Sequence, residues 1–220
     1  MSYPFLIHFT RGEPLKYLGH LDMLRLWERA FRRSGLPVAY SQGFNPHLKL
    51  SLAAPLSVGM TSVAEYLDIE LEKVMKPLDL IQSLKSTLPE GIEILESRLS
   101  PYKSSLAALV ALIEYKLWVV PESSDVLSKL EDFKNSVNWP YIKNTKSGEK
   151  EIDLKEFVRQ LEVIEQKNGQ VCLKIQIKTG PLGSVKAEEI MQALKISSKL
   201  LSIQRMQIFF RSADGQYFLP

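Results

Sequence analysis

The chain has 220 residues but one cysteine, Cys172. An internal disulfide is therefore excluded, as are a zinc ribbon and a three-cysteine iron–sulfur motif. This usage fits a reducing compartment. Cys172 lies in the alternating run VCLKIQI, which reads as a buried strand thiol and not a nucleophile. No apolar run approaches the roughly 18 residues of a membrane-spanning helix. The longest stretch, 106–120, is interrupted by Glu114, Tyr115 and Lys116. The start, MSYPFLIHFTRG, lacks a basic region followed by a long apolar one, so no signal peptide is expected. A cytoplasmic protein with no membrane partner is the expectation. No P-loop, GxGxxG, HExxH, serine elbow or paired-cysteine motif occurs, so no cofactor or metal is expected on the chain itself.

What is present suffices for a core: 45% of residues are hydrophobic and 24% charged, which argues against disorder. The net charge of +3 is small, but it is unevenly placed. Residues 1–60 carry seven Lys/Arg against three Asp/Glu, and the remainder twenty-one against twenty-two. His8, His20 and His47 also fall in the first 47 positions. A local basic surface of this kind favours an anionic partner such as nucleic acid.

The densest signal is SQGFNPHLKLS, residues 41–51. Gly43 is free to take positive φ, Pro46 fixes its own φ, and Asn45 before proline is pushed to an extended conformation. A turn so specified holds its neighbours Gln42, His47, Lys49 and Ser51, all able to hydrogen-bond a ligand, and Phe44 and Asn45 within it are further RNA-binding candidates. The plainer reading is a helix–strand connection that needs its turn residues. Ahead of it, Met23, Leu24, Trp27, Ala30 and Phe31 recur at helical steps and predict an amphipathic helix over 20–34. Gly19 stands near its N-cap, Gly35 at its C′ position, and Pro37 beyond as a stop. Its polar side carries Arg25, Arg29, Arg32 and Arg33, which is either a solvated face or a phosphate-contacting one. Trp27 reads as core, and Phe44 and Tyr40 as the exposed aromatics.

The remaining elements complete a pattern. Strands are predicted at 3–9, 37–40, 47–56, 66–71 and 92–96, with a helix opened by Pro77. Residues 97–108 read as a serine-rich linker. Beyond it come a strand at 109–120, a helix capped by Ser123 or Ser124, a hairpin tipped by TKSGEK, and a short helix from Asp153. Two strands then join around Asn168-Gly169, a strong hairpin signal. A helix capped by Ser184 and a strand at 203–210 follow. Both halves thus follow a βαββαβ order. The expected fold is α+β: two tandem ferredoxin-like domains with an elaborated middle hairpin in each, at 1–98 and 107–220.

Three chemical readings follow. The basic helix, the turn and the hairpin lysines Lys143, Lys146 and Lys150 could grip RNA through its backbone and stacked bases. Alternatively, His20 and His47, brought together over the sheet, could serve as base and acid for attack by a ribose 2′-hydroxyl without a metal. Lone histidines are more often structural, and geometry decides. Asp68 and Glu70 share a strand face, which reads as an exposed sheet surface in preference to a metal pair.

LGHLDMLRLWERAFRRSGLPVAYSQGFNPHLKLSLAAPLSVG, AEYLDIEL and TKSGEKEIDLKEFV together resemble the family of radical-SAM-linked proteins, over essentially the whole chain. Gly19 stands where such sequences often have a serine that could cap the helix. The resemblance implies a bacterial protein fused to, or encoded beside, a radical SAM protein with a cobalamin-binding-type domain. Ribonuclease and ribosomal-protein genes are frequent neighbours. With one cysteine here, any iron–sulfur cluster belongs to that partner. The resemblance supplies no catalytic residues. It suggests an RNA-binding accessory protein working with a radical SAM enzyme on tRNA or rRNA. The other candidates are a metal-independent endoribonuclease, by fold analogy with CRISPR-repeat-processing ribonucleases, and a subunit that docks on the radical SAM protein without touching RNA.

Overall fold

A computed structural model describes residues 2–145, 148–180 and 183–220. The fold is mixed α+β, with mostly antiparallel strands, and it divides into two units. One comprises Met1–Val110 with Phe210–Pro220, the other Ala111–Phe209. The last eleven residues thus join the first unit, against the expected 107–220 boundary.

In the first unit, β1 (Tyr3–Arg11) leads to α1 (His20–Ser34), then β2 (Leu50–Leu52), β3 (Thr61–Leu71), α2 (Pro77–Lys85), β4 (Ile94–Leu99) and a single helical turn, α3 (Leu106–Leu109). The strand order is β4-β1-β3-β2, and each neighbouring pair is antiparallel. β1 alternates its side chains: Phe5, Ile7 and Phe9 face the helices and join Met23, Trp27, Phe31, Leu67, Ile69, Leu80 and Leu84 in one core. Trp27 is fully buried, edge-on to Phe9 at 4.8 Å between ring centres. Such a side chain dominates the hydrophobic stabilisation of a small core. α1 ends where Gly35 turns left-handed at φ 69°, as its sequence predicts.

In the second unit, β5 (Val110–Pro121) is followed by α4 (Val126–Asn135), a two-stranded hairpin β6 (Pro140–Thr145) and β7 (Gly148–Asp153), and the short α5 (Leu154–Phe157). Then come β8 (Val158–Lys167), β9 (Gln170–Lys178), α6 (Ala187–Ala193) and β10 (Ser198–Arg211). The order of the main strands is β10-β5-β9-β8. Asn168 and Gly169, at φ 53° and 73°, make the tight turn between β8 and β9. Cys172 is buried on β9, and that burial pushes its thiol pKa up. The end of β10 and the following β11 (Tyr217–Phe218), which pairs Phe210 and Arg211, belong to the first unit.

Several expectations need correction. The strand expected at 37–40 is only two isolated bridges, Val38 with Leu71 and Tyr40 with Leu48. The linker expected at 97–108 contains the end of β4 and α3. Asp125, not Ser123 or Ser124, is the N-cap of α4, and Lys186, not Ser184, that of α6. At the start of α6 the Glu189 side chain accepts the Lys186 N–H at 2.8 Å, the reciprocal half of a capping box, so the cap falls at Lys186. The tip residues Lys146 and Ser147 lie outside the described residues.

Candidate nucleic-acid interface

The turn stands on a locked base. Ser41 N–H donates to the His47 carbonyl at 2.8 Å, and His47 N–H donates to Ser41 Oγ at 3.0 Å. Below these, Lys49 N–H donates to the Ala39 carbonyl, and Glu70 N–H to that of Lys49, at 2.9 and 3.0 Å. The loop is therefore woven into the end of β3. Gly43 adopts φ 130°, a value that a side chain would strain. Gln42, Phe44, Asn45 and His47 all face solvent, and the Phe44 ring is wholly exposed. A large apolar ring held in water on a fixed loop contributes little to folding.

Lys49 lies on the same segment but is engaged. Its Nζ sits 2.8 Å from Glu70 Oε2, which also accepts from Ser2 Oγ at 2.5 Å. The Lys49 contact first, and then Ser2, hold the Glu70 carboxyl below its ordinary pKa. Asp68, two residues away, accepts the Leu106 N–H at 2.7 Å, and burial raises its pKa against that bond. The acidic pair is thus absorbed by local contacts. Among the described residues, no cluster of three or more His, Cys, Asp or Glu side chains could hold a metal ion.

α1 presents its four arginines outward, but not equally. Arg25 pairs with Asp22 at 3.3 Å, and Arg33 donates to the Thr87 carbonyl at 2.6 Å. Arg29 and Arg32 are exposed and have no polar partner among the described residues. Arg25, Arg29 and Arg33 line one wall of a groove of about 520 Å³, whose other wall is Thr87, Leu88 and Pro89. The groove was not legible in sequence, because its walls are more than fifty residues apart.

The two candidate catalytic histidines are not brought together. β1 pairs Tyr3 with Leu71 at one end and Arg11 with Ser62 at the other. The turn is tied to the Leu71 end through Val38. α1 begins at the Arg11 end, where the buried Arg11 guanidinium donates to the carbonyls of Leu15, Lys16 and Leu18. His20 and His47 are therefore separated by roughly the length of β1, on the order of 20 Å. No single phosphodiester can reach both. Arg32 and Arg33 lie in the last turn of α1, at its opposite end from His20.

On the second unit, Lys143 and Lys150 face each other across the β6–β7 ladder. Lys143 is consumed internally: Nζ donates to Glu189 at 3.0 Å and to the Ser184 carbonyl at 2.5 Å. Lys150 is exposed. His8, the remaining histidine, stacks on Tyr66 with ring centres 4.5 Å apart and planes 11° from parallel. Its burial lowers its pKa, against the opposing pull of Glu96 and a backbone bond to Val63.

The fold is similar to a chain in the crystal structure of a Cbf5-Nop10-Gar1 complex, with a TM-score of 0.53 and 10% identity, over 93% of this chain and 48% of that one. It is also similar to a chain of an H/ACA RNP bound to a substrate RNA containing 2′-deoxyuridine, with a TM-score of 0.50 and 11% identity, over 93% and 47%. This chain spans about half the length of those it matches, and at such identity the likeness concerns the fold alone. No curated protein matches the sequence. One family model does, across residues 5–187: the chain belongs to the uncharacterized proteins conserved in bacteria grouped as DUF2344.

Proposed function

We propose that this chain is an RNA-binding accessory protein that works with a radical SAM enzyme in the modification or processing of tRNA or rRNA. The observation that carries the RNA part is Phe44, wholly exposed on a hydrogen-bonded turn at the end of the unit that also holds Arg32 and Arg33. Proteins take unpaired bases by stacking them on an exposed aromatic ring and neutralising the backbone with cations. Gln42 and Asn45 flank Phe44 with amide donors and acceptors suited to base edges. The strand orders β4-β1-β3-β2 and β10-β5-β9-β8 support reading both units as ferredoxin-like domains. The similarity to a chain of an H/ACA RNP bound to a substrate RNA adds a matching fold. The radical SAM partner rests on the motif resemblance. An endoribonuclease using His20 and His47 together is disfavoured by their separation.

The test is a titration of labelled total tRNA and a structured rRNA fragment at about 50 and 200 mM salt, over which phosphate contacts weaken by counterion release. The RNA is inspected for cuts in the same samples. Salt-sensitive binding of intact RNA is the expected result. Absence of binding at the lower salt refutes the RNA role, and cleavage that His47→Ala abolishes moves the protein to the nucleases.

A further inference from the structure

We infer that the groove between α1 and residues 87–89 is a nucleotide subsite, which takes one unpaired nucleotide of the RNA that the turn engages. This inference rests on the RNA-binding reading above. The groove's volume of about 520 Å³ falls within the range of small-ligand sites. It is too small for the several turns over which an amphipathic helix sets its anchors. Arg25, Arg29 and Arg33 follow at four-residue steps, so their side chains form one row along the helix. Three cations against the single Asp22 leave the lining net positive, which selects an anion.

The three guanidinium groups have different roles. Arg33 is tied across the groove to the Thr87 carbonyl at 2.6 Å and so links the two walls. Arg25 is in a solvent-exposed pair with Asp22, a weak tie that a phosphate can displace. Arg29, between them, has no partner among the described residues and is free to meet a phosphate bidentately. Leu26, half-buried, and Leu88 and Pro89 on the facing wall supply an apolar surface for the flat face of a base. A row of guanidinium groups over an apolar floor matches a ligand with one anionic and one planar apolar part.

The experiment uses the full chain, isotope-labelled, with uridine 5′-monophosphate as one probe, an unstructured oligoribonucleotide as a second and an acidic peptide as a third. The expected result is that the mononucleotide shifts amide resonances within 22–33 and 87–88. Arg29→Ala, an exposed change whose folding is checked by thermal melting, should then weaken oligoribonucleotide binding about tenfold. It should also make the salt dependence shallower by about one unit of slope, as for one lost phosphate contact. If the wild type binds the oligoribonucleotide but Arg29→Ala changes affinity by less than about twofold, the subsite is overturned while the RNA-binding role stands. If the mononucleotide shifts the groove but no RNA binds, the RNA source is overturned together with the proposed function. Shifts caused by the acidic peptide and not by the nucleotide would overturn the ligand class.

Discussion

Replacing Phe44 by alanine separates binding from folding more cleanly than any other change in this chain. The ring is wholly exposed and makes no aromatic contact among the described residues, so its removal uncovers no core. Stability should stay within about 0.5 kcal/mol of the wild type, the range of ordinary surface substitutions. Base–aromatic stacking is worth about 1–3 kcal/mol per base on alanine substitution. At tenfold per roughly 1.4 kcal/mol, Phe44→Ala should weaken binding of unpaired RNA by about 5- to 150-fold. The loss should persist at high salt, because stacking releases no counterions, whereas Arg32→Ala should reduce the salt slope. Fluorescence anisotropy with a labelled single-stranded RNA, paired with urea denaturation of both proteins, measures the two quantities. Unchanged affinity in a variant of unchanged stability would refute the stacking role. A marked loss of stability would show that Phe44 packs against the fold.

Other expectations concern the scaffold. Trp27→Ala should cost about 3–5 kcal/mol, the range for emptying a buried aromatic site, as read from the urea midpoint. A loss below about 1 kcal/mol would contradict its place in the core. Gly35→Ala forces a side chain into the left-handed conformation at φ 69° and should cost about 1–2 kcal/mol, although the added Cβ meets no neighbouring atom. His8 should make the fold less stable in mild acid. Its pKa is lowered on folding from about 6.5, so below that value the unfolded chain binds more protons and stability falls as pH falls. Urea midpoints of the wild type and His8→Phe, compared between about pH 7 and pH 5, check this, because the variant keeps a ring on Tyr66 but loses the titrating group. An equal pH slope in both would exclude His8 as the source.

The sequence by itself determined the local structure at its most strongly patterned stretches. The 3.6-residue spacing of Met23, Trp27, Ala30 and Phe31 defined α1 to its last residue, since Gly35 is the position where the chain can turn left-handed. Asn168-Gly169 marked its hairpin for the same kind of local reason. The exposed Phe44 was legible because Gly43, Asn45 and Pro46 specify a turn within a few bonds of it. Tertiary structure alone decided everything that joins distant residues. It placed His20 and His47 at opposite ends of β1, a result of strand direction and register. It set Lys49 against Glu70 and Lys143 against Glu189, so two lysines that looked available are neutralised by partners 21 and 46 residues away. It also brought Thr87, Leu88 and Pro89 beside the arginine row of α1 to form the groove. Backbone conformation follows from sterics between neighbouring residues and can be read along the chain, whereas charge pairing and cavity walls depend on which surfaces the packed core brings face to face.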